Sequence, residues 1–197
     1  MRAYRTAAVT LVLFGCAAAL ATHLGALLNS GLHPLSSPIG ALAWTDEAAW
    51  FRYGLWLFAF GHLWLVLLLN RPGAGRFTRG AQLFLLLDAA LIVWLPLHFA
   101  SVPLAELAAS AGGGPLWLLG GSVGFAMTCV AGALWRSHRY AAFLTLVCLL
   151  LWSLLAPVFL AVAPDWIGAY QRSVGVLLVF WTAALAVRIA YFGPAET

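Results

Sequence analysis

There is no lysine in this sequence, and its ten basic residues are all arginines. No side-chain amine is therefore available as a Schiff-base partner or nucleophile, which excludes retinal binding and lysine-based covalent chemistry. Charge of either sign is scarce. Only 8% of the 197 residues are charged, where a soluble domain carries about a quarter. Cysteine is sparse too: Cys16, Cys129 and Cys148 each fall inside an apolar run with no CxxC spacing. That pattern argues against a disulfide framework or a thiolate metal site, and it suits small buried hydrophobes. The sequence also lacks a nucleophile elbow, a P-loop, an HExxH motif and a dinucleotide fingerprint. Ser36 and Ser37 have only His33 nearby as a base, too little for a serine hydrolase. No metal site is expected, and no repeat, low-complexity tract or charge run is visible.

What the chain has in abundance is apolar sequence: 64% of its residues and a mean hydropathy of +0.97. Six apolar runs, approximately 6–29, 49–70, 79–100, 115–136, 139–163 and 169–191, each match a hydrocarbon core of about 30 Å. Only helices satisfy every backbone group over such runs in lipid. The predicted fold is all-α: a polytopic membrane protein, a single six-transmembrane-helix bundle over residues 1–197. The start Met1-Arg2-Ala3-Tyr4-Arg5 imitates a signal peptide, but the apolar run behind it continues to about Leu28, too long for an h-region, so it reads as a retained first helix.

The arginines set the orientation. Arg2 and Arg5 precede the first helix, Arg71, Arg76 and Arg79 surround the second loop, Arg136 and Arg139 the fourth, and Arg188 lies near the end of the last helix. The other three loops hold Asp46, Glu47, Glu106 and Asp165. The positive-inside rule then puts both termini in the cytoplasm. The net charge of +4 is a topology signal, not a nucleic-acid surface. Trp44, Trp50, Trp94, Trp117, Trp135 and Trp166 fall near helix ends, as headgroup anchors do, whereas Trp56, Trp64, Trp152 and Trp181 lie deeper and must pack or line something. The outer connections Asn29 to Thr45 and Ser101 to Pro115 read as short re-entrant or surface segments.

Two stripes of small residues are helix-packing devices: Gly120, Gly124, Thr128 and Gly132, and Cys16, Ala19, His23, Ala26 and Ser30. Pro157 should kink the fifth helix or loosen it near its outer end.

Ionisable groups inside a bilayer are costly and point to function. Counted from the centre of the second loop near Gly75, His62 and Asp88 occupy similar depths on the second and third helices, so a hydrogen bond between them is allowed. They are the candidate catalytic pair, a proton relay or an acid and base, with a structural helix–helix contact as the alternative. Arg52 and His98 share a depth nearer the outer face. Gln171 and Arg172 open the sixth helix from that side, and His23 lies about six residues below the outer end of the first. Guanidinium forks suit carboxylates and phosphates. Arg52, His98, Gln171, Arg172 and His23 are thus candidate ligand-binding residues, with loop acids as the alternative partners of the arginines. His23, His33 and His98 all lie toward the outside and allow a haem b, although the paired histidines on one helix that mark such sites are missing. His138 sits in a basic loop, expected solvated or at the headgroups.

The segments His33-Pro34-Leu35-Ser36-Ser37-Pro38-Ile39-Gly40-Ala41 and Gly168-Ala169-Tyr170-Gln171-Arg172, with the six-helix layout, resemble the bacterial six-transmembrane family called domain of unknown function 998. Here Pro38 follows the serines and Leu95-Pro96-Leu97-His98-Phe99 replaces that family's acidic turn. The resemblance implies a bacterial cytoplasmic (inner) membrane location and a layout similar to eukaryotic proteins of lipid handling. It also implies a role for Gln171 and Arg172 beyond packing.

The function expected is a binding or accessory protein with an outward-facing cavity for a lipid, quinone or other amphiphile. The alternatives are a haem- or quinone-binding electron-transfer subunit and an intramembrane enzyme acting on a lipid or isoprenoid. Membrane lipids are the expected partners, and small-residue and tryptophan faces also suit a homo-oligomer or a subunit of a membrane complex.

Overall fold

A computed structural model describes residues 2–70, 74–103, 113–158 and 162–191. Each apolar run is a helix: α1 (Arg2–Asn29), α2 (Ala48–Leu69), α3 (Arg76–Ser101), α4 (Gly113–Leu134), α5 (Arg139–Val158) and α6 (Ile167–Tyr191). All six are long and apolar enough to cross a membrane, and no strand occurs among the described residues. The chain is an all-α, multi-pass membrane bundle.

The predicted bounds are close, and the differences have local causes. The first helix begins at Arg2 because its polar opening residues extend the helix beyond the apolar run. The described helix α5 runs to Val158 and so includes Pro157. Val162 and Ala163, expected within that span, are not helical. Arg71 and Glu106 lie outside the described residues.

Six crossings return the chain to its starting side, so the beginning of α1 and the end of α6 share one end, here the terminal end; the other is the far end. Each helix packs on its sequence neighbour and α6 packs back on α1, closing a ring in chain order, with α2 also touching α6 across it. Lipid tails are as apolar as leucine, so packing in a membrane depends on close approach and not on burial from water. The α1–α2 crossing shows this: a Cβ on Gly15 would stand 2.5 Å from Leu57 O, and one on Gly54 would run into the Thr22 side chain.

In the terminal half the ring is filled. Trp181, Met127, Leu65, Leu85 and Leu185 are fully buried, and Trp181 Nε1 donates to Thr145 Oγ1 (3.3 Å). His138 is buried as well, not solvated as expected. The turn between α4 and α5 is tight, with the Ser137 and His138 amides both donating to Leu134 O, and this holds the imidazole against the bundle. The expected anchors Trp44, Trp50, Trp94, Trp117, Trp135 and Trp166 are all exposed.

Candidate functional site

In the far half the ring opens into a cavity of about 560 Å³. Its position follows from which residues bear on it: Ala19 to His23 of α1, Phe51 to Phe58 of α2, Ile92 to Phe99 of α3 and Tyr170 to Val179 of α6 mark its span. α4 contributes glycines, Gly120, Gly121 and Gly124, which have no side chains to fill the space. The Trp152 ring of α5 lies along them, 4.0 and 3.9 Å from where Cβ atoms on Gly120 and Gly124 would stand. Its Nε1 donates to Gly120 O (2.9 Å). The predicted stripe does permit a close approach, by an indole at Gly120 and Gly124 and by the Phe77 ring at Gly132.

The connection after α1 closes the far end. Its 3₁₀ segment Ile39–Trp44 buries Gly40, Ala41, Leu42 and Ala43. Leu42 packs with Ala26 and Phe51, Ala43 with Leu95 and Phe99, and Trp44 Nε1 donates to Phe99 O (2.9 Å). Only this stretch is buried; Gly31, His33, Pro34 and Leu35 earlier in the same connection are exposed. It is fastened to the start of α6 by residues 132 to 138 positions away. Ile39 N donates to Gln171 Oε1 (2.7 Å), and Arg172 Nη1 donates to Pro34 O and Ser37 O (both 2.9 Å). The Ala169 amide donates to Leu35 O (2.9 Å). Gly168 makes this fit sterically feasible, because a Cβ there would stand 2.5 Å from Arg172 Nη1 and 2.8 Å from Leu35 O. The two segments that carry the family resemblance are therefore the two halves of one contact.

Polar atoms gather where that contact meets the cavity. His23, Tyr170, Gln171 and Arg172 all line it. Tyr170 Oη donates to Leu155 O (2.8 Å). His23 Nε2 and Arg172 Nε and Nη2 are buried and have no hydrogen-bond partner among the described residues. A buried donor left unmatched costs about 1–3 kcal/mol, and more when charged. These three atoms form a polar pole at one end of an apolar space.

The other expected residues are elsewhere. Arg52 and His98 are half-buried and do not line the cavity; His98 stacks on Trp94, ring centroids 4.8 Å apart. Helical phase explains this. Residues ten apart, such as 52 and 62 or 88 and 98, differ by about 80° around a helix, whereas residues eleven apart differ by about 20°. The buried stripes accordingly run Phe51, Phe58, His62 and Ala81, Leu85, Asp88, Ile92, Leu95, Phe99. Phe51 and Phe99 take the inward places proposed for Arg52 and His98.

His62 and Asp88 are both fully buried, but no hydrogen bond joins them. His62 Nδ1 lies 3.1 Å from Phe58 O, its ring edge-on to Phe58, and Nε2 has no partner. Ser122 of α4 stands beside the Asp88 carboxyl but donates to Phe84 O (3.5 Å), leaving both carboxyl oxygens unmatched. Neither residue lines the cavity. His33 Nδ1 is 3.3 Å from Ser36 Oγ in an exposed turn, so the histidines considered for haem lie in three settings: cavity, α3 flank and loop.

Trp152, expected to pack or line something, lines the cavity, whereas the closeness at Gly168 and the inward faces of Phe51, Phe58 and Phe99 were missed. Gly168 beside Gln171 and Arg172 was the legible sign of a close docking. No family model, curated protein or solved structure matches this sequence.

Proposed function

We propose that the protein is a membrane-embedded binding protein that holds one amphiphile, a lipid or quinone, in its far-half cavity. The observation that carries this is the combination of an apolar space of about 560 Å³ with unmatched nitrogens of Arg172 and His23 at one end. Small-molecule sites typically measure about 300–1,000 Å³ and pair apolar walls with a few convergent polar groups. Arg172 serves two purposes in this reading: together with Gln171 it seals the far end, and it presents donors to the head of the guest. The arginines at the terminal end and the acids at the far end favour cytoplasmic termini, which sets the cavity in the outer leaflet. We extend the proposal to a bacterial cytoplasmic membrane and to the six-helix family that the docked segments resemble.

The test is native mass spectrometry of the full chain released from mild detergent, followed by extraction of what it carries. Wild-type protein should retain one amphiphile per chain. Gly175 lines the cavity and a Cβ there meets nothing within 4 Å, so the ring of Gly175→Phe should occupy the space and that variant should arrive bare. Equal loading of the two proteins would sink the reading.

A further inference from the structure

We propose that the guest's head is an oxyanion, a carboxylate or a phosphate monoester, gripped by the Nε–Nη2 edge of Arg172. This rests on the amphiphile reading above and adds the chemical class of the ligand. In a guanidinium, Nη1 sits on the Cδ side, so the Nε–H and one Nη2–H point the same way along the opposite edge. That edge is the fork that meets two oxygens of one planar or tetrahedral anion at once. In this protein the other side of the group is already used. Nη1 donates to Pro34 O and Ser37 O (both 2.9 Å), which fixes the plane of the guanidinium. Nε and Nη2, the two atoms of the fork, are buried and have no partner among the described residues.

A single neutral acceptor such as a quinone carbonyl satisfies one atom of the fork and leaves the charge in place. An oxyanion satisfies both atoms and neutralises a cation held away from water, where an unpaired charge is costly. His23 Nε2, unmatched in the same cavity, is a third donor to the same head when that nitrogen carries the proton. Phe51 stands beside His23, ring centroids 6.0 Å apart, and the aromatic and aliphatic wall continues from there toward the middle of the bundle. A chain attached to the head therefore runs into apolar surroundings.

The experiment compares palmitic acid, palmityl phosphate and methyl palmitate as ligands of the full-length protein in one neutral detergent, read as mass adducts in native mass spectrometry. Wild-type protein should bind the acid, the phosphate or both about ten- to a hundredfold more tightly than the ester, the range for a charge-assisted bond. A preference for the phosphate assigns a phospholipid-like source, and a preference for the acid assigns a fatty acid. Arg172→Gln should erase the preference for the anionic heads over the ester, whereas Arg172→Lys, which keeps charge without the fork, should fall between. If acid, phosphate and ester bind wild type alike while Gly175→Phe rejects all three, the anionic head is wrong and the cavity reading stands. If none of the three binds, the anionic head is wrong, and the extraction of what the full chain carries decides the cavity reading. An unchanged preference in Arg172→Gln also overturns the assignment. Should Arg172→Gln lose ester binding through misfolding, the wild-type comparison decides alone.

Discussion

Replacing Gly168 by alanine adds one carbon at the point where the loop after α1 meets α6. That carbon would stand 2.5 Å from Arg172 Nη1 and 2.8 Å from Leu35 O, and closer still to Ser37 O. Ordinary contacts to carbon lie at about 3.5–4.0 Å, so the loop must retreat by roughly an ångström. Two bonds of 2.9 Å, Ala169 N to Leu35 O and Arg172 Nη1 to Ser37 O, then pass the distance at which a hydrogen bond counts. Losing one neutral bond and one to a charged group costs about 2.5–4 kcal/mol. Alanine is intrinsically better than glycine in a helix by about 0.8–1.0 kcal/mol, so a net loss cannot come from the helix. The assay is amide hydrogen exchange in detergent on the peptide covering residues 33–41. The Ile39 amide, bonded to Gln171 Oε1 at 2.7 Å, is the reporter, and its protection should fall by on the order of tenfold or more. Gly175→Ala, where a Cβ meets nothing, is the control. Unchanged protection at Ile39 in Gly168→Ala, or an equal loss in the control, would refute the docking as described.

Two further substitutions test the packing. Asp88→Leu removes a fully buried carboxyl whose two oxygens have no partner among the described residues, so thermal stability in detergent should hold or rise, by roughly 1–3 kcal/mol. A clear fall would mean that the carboxyl has a partner in the folded protein. Gly15→Val drives a side chain into the α2 backbone at Leu57 and Phe58, which cannot swing aside, and should cost at least about 1–3 kcal/mol. Gly25→Val on the same helix, with nothing within 4 Å, should not, and similar melting of the two variants would contradict the α1–α2 crossing.

The helices were legible because each apolar run is long enough to leave only one secondary structure in lipid. Burial of His62 and Asp88 was legible too, since an ionisable group within an apolar run has to face the bundle interior. Direction around the helix was harder. A difference of one residue turns a side chain by about 100°, and that is the distance between Arg52 and Phe51 and between His98 and Phe99. Charge drew attention to the wrong member of each pair, although the stripe through His62, Phe58 and Phe51 was countable from the sequence. Gln171 and Arg172 were found, yet their partners Pro34, Ser37 and Ile39 were not. A contact between carbonyls and a guanidinium more than 130 residues apart leaves no periodic trace.

The two halves of the bundle differ in what fills them, and this bears on the occupant. At the terminal half the ring interior holds Trp181, Met127 and leucines; at the far half it receives Gly120, Gly121, Gly124 and Gly175. Residual cavity volume costs about 24 cal/mol per Å³ in a folded core. The far-half space of about 560 Å³ is not fully enclosed, so that coefficient does not carry over to it, but an unfilled space still leaves its apolar walls without contacts. The membrane relieves that cost readily, because any acyl chain satisfies apolar walls. Filling alone thus selects nothing. Selection falls to the polar pole, where a tail without a suitable head leaves the Arg172 fork and His23 Nε2 unmatched. In the proposed site, specificity is therefore assigned to three nitrogens, and the apolar wall supplies affinity to any chain that brings the right head to them.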